Sequence, residues 1–204
     1  MHARASLAHA ASSPWTTLDL VAAPVPPTLR SWLTEPGLLT ARIRELCGER
    51  MRFRMLGPLR ALPLSDELQA RLGGVDQKGL AREIEFRCLT ERVVYAQTVL
   101  PDSTVRAHPW LRELGDSPIG ESLRRAGGAL AREPLEYAPL PPEHVLALAA
   151  SEGSPDARGV TLWARRAIYR LDGLAILVQE VFLPALMRVE AARNEASDTP
   201  TGEP

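Results

Sequence analysis

Leu162-Trp-Ala-Arg-Arg-Ala-Ile-Tyr-Arg-Leu-Asp-Gly-Leu-Ala-Ile-Leu-Val-Gln-Glu-Val-Phe-Leu-Pro184 decides the fold of this 204-residue chain. Two strand-like runs flank Asp172-Gly173, a dipeptide that favours the two-residue type I′ turn. That turn fixes the register, so that Leu171 meets Leu174 and Arg165 lies across from Glu180. Alternation puts Glu180 on the face of Ile176, Val178 and Phe182, opposite Trp163, Ala167 and Tyr169. Arg166 and Arg170 point the other way and read as the solvated face. An unpaired charge turned toward a core costs several kcal/mol, on the order of a whole domain's stability. Glu180 therefore has two readings. It is a cross-strand ion pair with Arg165, a common feature worth little when exposed, or it is a polar pole kept for a ligand.

A second such residue lies earlier. Arg82 opens Arg82-Glu-Ile-Glu-Phe-Arg-Cys-Leu89 on the face of Ile84, Phe86 and Cys88. This run and Val93–Leu100 read as another hairpin, ended by Pro101-Asp102. Met51–Leu56 alternates as a strand, and Leu130–Tyr137 is a further one. Helices are expected at Arg30–Gly48 in two pieces split at Pro36-Gly37, and at Asp66–Leu72 behind the N-cap Ser65. Another opens at Ser117-Pro118, with serine as N-cap and proline at the first helical position, and stops at Gly127-Gly128. Pro141 to Ser151 reads as a helix. Residues 1–27, ending in Pro24-Val-Pro-Pro27, read as a flexible N-terminal arm. Residues 28–188 form one domain, and 189–204 read as a disordered polar tail.

Composition bounds the rest. At 45% hydrophobic residues, the chain suits one globular domain burying roughly 70% of its unfolded surface. A net charge of −1 supplies no basic field toward nucleic acid or anionic lipid. No apolar run approaches the roughly 20 residues of a membrane span, and Met1 to Ser13 shows no secretory signal. Cys47 and Cys88 lack metal spacing and read as free buried thiols of a reducing cytoplasm. His108 and His144 have no metal-ligand partner at useful spacing. No nucleophile elbow, zinc-protease, phosphate-loop or dinucleotide motif is present.

Four segments carry a resemblance. Trp110-Leu-Arg-Glu-Leu-Gly-Asp-Ser-Pro-Ile-Gly-Glu-Ser-Leu123 and Trp163-Ala-Arg-Arg166 with Glu180-Val-Phe-Leu-Pro-Ala185 resemble the chorismate pyruvate-lyase family. So do Ala81-Arg-Glu-Ile84 with Thr98-Val-Leu-Pro101, and Arg132-Glu-Pro-Leu-Glu136. The similarity runs in order from about Leu29 to Met187. It implies an α+β domain, a single six-stranded antiparallel sheet with flanking helices covering a buried ligand pocket. It also implies a cofactor-independent, metal-free, cytoplasmic, monomeric enzyme that splits chorismate into 4-hydroxybenzoate and pyruvate, the entry to ubiquinone synthesis.

By position, Arg82 matches the arginine that holds the ring carboxylate, and Glu180 the glutamate near the product's hydroxyl. Ile119 matches the residue whose main-chain amide also meets the carboxylate, and Leu39 falls where the family has a pocket methionine. The residues support these roles independently: the start of a helix offers free amides and a favourable dipole to an anion, and an arginine fork suits a carboxylate. Two departures stand out. Gln97 stands where the family commonly has an arginine that would help the enolpyruvyl carboxylate, and Gln97 itself and Arg165, a candidate replacement, are possible substrate-binding residues. Residues 140–159 form a helical insertion, either a peripheral decoration or a lid.

The rival expectation is a non-catalytic binding module for a small aromatic acid. The same fold serves as the effector domain of some transcription regulators, and a carrier of 4-hydroxybenzoate would share the pocket. The mixed charge of Arg30–Gly48 argues for packing over a DNA-reading helix pair, and the stretch before it is too short for a winged-helix domain.

Overall fold

A computed structural model describes residues 13–21 and 23–198. Its centre is the predicted hairpin. β7 (Leu162–Leu171) and β8 (Leu174–Phe182) pair in the expected register, Leu171 with Leu174 and Arg165 with Glu180. Asp172 and Gly173 take φ of 50° and 83°, the doubly positive pair of a type I′ turn; glycine accepts this freely and aspartate tolerates it. β8 pairs with β4 (Glu91–Pro101), and β4 with β3 (Lys78–Cys88), all antiparallel.

Among the described residues the sheet has eight strands, not six. Six positions across the sheet are filled as expected, but both edge positions are split. β1 (Met51–Met55) and β2 (Arg60–Pro63) share one flank of β3, and β5 (Leu130–Arg132) and β6 (Glu136–Leu140) share one flank of β7. Leu56-Gly57-Pro58 and Glu133-Pro134-Leu135 interrupt the two edges, because proline has no N–H to give the ladder and is confined to such breaks.

One face of the sheet is covered by α1 (Pro27–Leu33), α2 (Leu39–Cys47), α4 (Asp102–Ala107) and α5 (Ile119–Arg125). Trp32, Leu33, Ile43 and Leu46 pack here on Ile84, Phe86 and Phe182, while Leu111, Ile119 and Leu123 pack on Ile176 and Val178. The free thiols of Cys47 and Cys88 lie in this core, and burial, with Cys88 beside it, pushes the Cys47 thiol up to about 12.

The opposite face is not solvated. It is covered by α3 (Asp66–Leu72), by the insertion helix α6 (Val145–Ser151) and by the segment around Trp15. Arg166, expected in water, is 4% exposed. It bonds Glu136 at 2.8 Å and Glu67 at 3.1 Å and lies against the Trp15 ring at 4.7 Å. Alternation alone could not see that elements distant in sequence return to cover this face. The insertion is fastened by buried Arg92, whose Nη1 donates to the carbonyls of Ala150 and Glu152 while Nε lies 2.6 Å from Glu85.

Both ends depart from expectation. Within the arm, Trp15 is buried beside Tyr95, Leu140 and Leu146, and Thr16 exchanges backbone hydrogen bonds with Tyr137 at 3.1 and 2.8 Å. The apolar area of one tryptophan anchors a segment whose flanking prolines suggested freedom. Residues 1–12 lie outside the described residues. At the other end, α7 runs Pro184–Asp198, so residues 189–198 are helical rather than disordered. Leu186 and Ala185 are buried, Arg188 pairs with Asp156 and Glu91, and good helix formers carry the helix onward. Residues 199–204 lie outside the described residues. Among the described residues no helix is long and apolar enough to cross a membrane.

Candidate active site

Between the sheet and the α1–α2 pair lies a small, largely enclosed cavity. Arg82, Ile119, Glu180, Leu39 and Arg165 all line it. Gln97 does not. It belongs to the opposite face of β4, where its Nε2 donates to Glu83 at 3.0 Å and its Oε1 accepts from Gln179 at 3.1 Å. Ala96 and Thr98, its neighbours in the strand, are the cavity residues, as the period of two requires. The suggestion that Gln97 meets a substrate is corrected by this geometry.

Arg82 is 1% exposed. Its backbone is set by pairing of β3 with β4, Arg82 opposite Thr98. Its Nη2 donates to the carbonyl of Gly115 at 2.6 Å and of Ser117 at 2.8 Å, and its guanidinium sits 5.6 Å from the Phe53 ring. Its Nε and Nη1 are buried with no partner. Burial lowers its pKa from 12.5 to about 10, with Asp116 opposing; the cation remains protonated at neutral pH while paying for desolvation. The Gly115-Asp-Ser-Pro118 turn that aims it was read only as a helix start. Its positive φ at Gly115, 49°, is the backbone feature that turns those carbonyls toward the arginine.

Ile119 is the first residue of α5, with Pro118 as N-cap, one position later than the sequence suggested. Pro118, Ile119 and Gly120 bring this helix end to the cavity. Leu38 closes against it: a methyl group added at Gly120 would stand 2.6 Å from Leu38 Cδ2.

At the other pole the ion-pair reading of Glu180 holds, and so does its place in the cavity. Arg165 Nε donates to Glu180 Oε2 at 2.5 Å. The Glu180 side chain keeps 17% exposure, and its Oε1 accepts no hydrogen bond from the described residues. Arg165 itself is buried, and its Nη1 donates to the carbonyls of Trp32, Leu33 and Glu35 at 3.1, 3.2 and 3.0 Å. Nothing in the sequence signalled that second set of bonds, because those carbonyls become neighbours only when α1 folds onto the sheet. Tyr169 stands nearby, and burial, then the Glu180 charge, raises its hydroxyl above the ordinary tyrosine value. Ile84, Phe86, Ala96 and Val178 supply apolar walls.

An oily slot with a desolvated cation at one end and a carboxylate at the other can hold and orient a small planar acid. Among the described residues no group of three or more His, Cys, Asp or Glu is placed to hold a metal ion.

The chain is similar to several known proteins. A relative in Cupriavidus pinatubonensis, named "Probable chorismate pyruvate-lyase", is 37% identical over 165 residues, covering 80% of this chain and 84% of that one. One of the same name in Ralstonia nicotianae is 40% identical over 159 residues, 76% of this chain and 80% of its own. Among solved structures, the C-terminal domain of a histidine utilization repressor from Pseudomonas syringae superimposes with a TM-score of 0.48 at 10% identity, over 67% of this chain and 93% of that domain. The model of the chorismate lyase family matches residues 11–191, and the chain belongs to that family.

Proposed function

We propose that this protein is a chorismate pyruvate-lyase that forms 4-hydroxybenzoate for ubiquinone synthesis, working as a single domain through the cavity between the sheet and the α1–α2 pair. The observation that carries the assignment of poles is Arg82. A buried guanidinium with Nε and Nη1 unpartnered is costly unless an anion completes it. The ring carboxylate is that anion, with the Ile119 amide as a further donor. The ring then lies between Leu39, Ile84, Phe86 and Val178, and its hydroxyl reaches Glu180 Oε1. Arg165 Nη2, for which no hydrogen bond to the described residues is seen, is a donor for the enolpyruvyl carboxylate.

The reaction balances without an added redox partner. The carbon–oxygen bond to the enolpyruvyl group breaks, the ring hydrogen leaves as a proton, and the departing methylene gains a proton to become the methyl of pyruvate. Aromaticity drives the step. The protein contributes orientation and a fixed electrostatic frame, with Glu180 as anchor for the hydroxyl and base for the ring proton. Enclosure makes product release dependent on an opening motion. The enzyme acts as a cytoplasmic monomer with no nucleic-acid partner, consistent with its near-neutral charge.

The test is purified protein with chorismate, following pyruvate by a coupled assay and 4-hydroxybenzoate by chromatography. Equimolar release, lost in Glu180→Ala, is the expected result. Tight 4-hydroxybenzoate binding without pyruvate would instead make the chain a sensor or carrier.

A further inference from the structure

We infer that Arg165 is a positioning residue that couples closure of the α1–α2 roof to presentation of Glu180. This rests on the reading of Glu180 as the group that meets the substrate's hydroxyl. One guanidinium bridges two bodies. Its Nε holds Glu180 Oε2 at 2.5 Å on β8, and its Nη1 holds the carbonyls of Trp32, Leu33 and Glu35 where α1 ends. Those carbonyls have no partner inside the helix and face a cation favourably. The very next residues, Gly37, Leu38, Leu39 and Thr40, are the roof of the cavity.

Leu38 narrows the cavity at α5 against Gly120, so lifting this roof widens the way in for substrate. Besides the apolar packing of Trp32, Leu33 and Ile43 and the Trp32 Nε1 hydrogen bond to Glu190 at 2.9 Å, the roof's other polar ties are peripheral. Arg132 donates to the Pro36 carbonyl and Arg44 pairs with Glu121, both at the surface, where such pairs are weak. Arg165 is the buried polar tie from the sheet. Lifting the Trp32–Glu35 backbone removes the three acceptors that fix its guanidinium, and Glu180 Oε2 loses the donor that fixes its direction. Closure restores both together. Coupling of this kind is reciprocal, so a change at Glu180 must be felt at the roof.

That reciprocity gives the test. Amide hydrogen exchange of residues 30–40 is measured in the wild type and in Glu180→Gln. Glu180 makes no hydrogen bond to any of these residues, so a separate anchor would leave their exchange unchanged. Coupling predicts faster exchange there and little change at α3 on the far face. Alongside, Arg165→Lys keeps one charge but cannot span both sets of acceptors. It should lower kcat about 100-fold, the scale expected for misplacing a catalytic group by about 1 Å, and speed 4-hydroxybenzoate dissociation. A residue that only clamps the enolpyruvyl carboxylate would instead raise KM and leave the product, which lacks that carboxylate, bound as before. Adding Glu180→Gln to Arg165→Lys should cost far less than the product of the two single effects. Unchanged roof exchange in Glu180→Gln, or fully multiplicative kcat effects, overturns the inference. If the wild type does not turn over chorismate, the lyase reading fails by itself, and the exchange experiment still decides the coupling.

Discussion

Replacing Arg82 with methionine should separate affinity from stability. Methionine fills a similar volume without charge. In the free protein, burial lowers the guanidinium from 12.5 to about 10, which corresponds to roughly 3 kcal/mol against the charged form. The side chain is 1% exposed, so solvent screening offsets little of this. The sign follows from linkage: between about pH 10 and 12.5 the unfolded chain binds the extra proton, stability rises with pH, and below about 10 the penalty stands in full. Against that gain, Arg82→Met loses two hydrogen bonds, to Gly115 and Ser117, each worth about 1.5 kcal/mol when the donor is charged. The two effects nearly cancel, so the free protein should change in stability by less than about 1 kcal/mol. Binding should respond differently. Removing one partner of a buried charge pair costs about 3–5 kcal/mol, a loss of about 100-fold or more in 4-hydroxybenzoate affinity. Urea denaturation of the free protein and calorimetric titration with 4-hydroxybenzoate measure the two quantities. If the variant lost 3–5 kcal/mol of stability while its affinity stayed within a few-fold, Arg82 would be a structural residue and the clamp would be wrong.

Glu180→Gln keeps shape and removes the base, so kcat should fall by about 10²–10⁴ in the pyruvate assay, with 4-hydroxybenzoate affinity far less changed. Gln97→Arg should restore no activity, because the side chain faces Glu83 and Gln179 and not the cavity; a rise in kcat/KM would show that position 97 reaches substrate. Trp15→Ala should cost about 3–5 kcal/mol in denaturation and leave kcat unaltered, since Trp15 packs on the far face. Burial works to raise the Glu83 carboxyl, and hydrogen bonds from Arg60 and Gln97 outweigh it, holding it below the usual carboxylate range. Its contribution is therefore present above the unfolded value and lost as pH falls through the lower folded one. Arg60→Gln should move the acid-unfolding midpoint to higher pH in a circular-dichroism titration.

What the sequence made legible was whatever depends on near neighbours. Asp172-Gly173 fixed a turn, the turn fixed a register, and the register placed Arg165 against Glu180 without any tertiary information. Arg82 stood out by the same period-two argument. Pro58 and Pro134 were visible too, but their effect on the edges depends on which strand each edge joins, and the six strands implied by the resemblance are eight among the described residues. The α1 carbonyls around Arg165, the Gly115 and Ser117 carbonyls at Arg82, and the cover over Arg166 are long-range contacts that no local pattern encodes. Gln97 shows the converse failure. A family position suggested a role in substrate binding, whereas parity with Arg82's cross-strand partner, Thr98, would have put it on the other face.

Both faces of this sheet carry buried charge, and the difference between them says which charge serves a ligand. On the far face a row crosses the strands in register: Glu83 opposite Gln97, Gln97 opposite Gln179, Gln179 opposite Arg166, Arg166 opposite Glu136. Each member bonds another, with Arg60 and Glu67 completing the ends. A satisfied row of this kind fixes strand register and ties α3 to the sheet through Glu67, and it asks for nothing from outside. On the cavity face the bonds stop short. Arg82 is the one residue among those described with two buried donor atoms left unpartnered, and Glu180 has an oxygen free toward the same space. Burial of polar groups is thus common to both faces, and single unpartnered atoms occur elsewhere, at Arg71, Arg92, Tyr95 and His108, but among the described residues the cavity brings a twice-unpartnered cation and a carboxylate to one space. That incompleteness is what a carboxylate at one end and a hydroxyl at the other would fill.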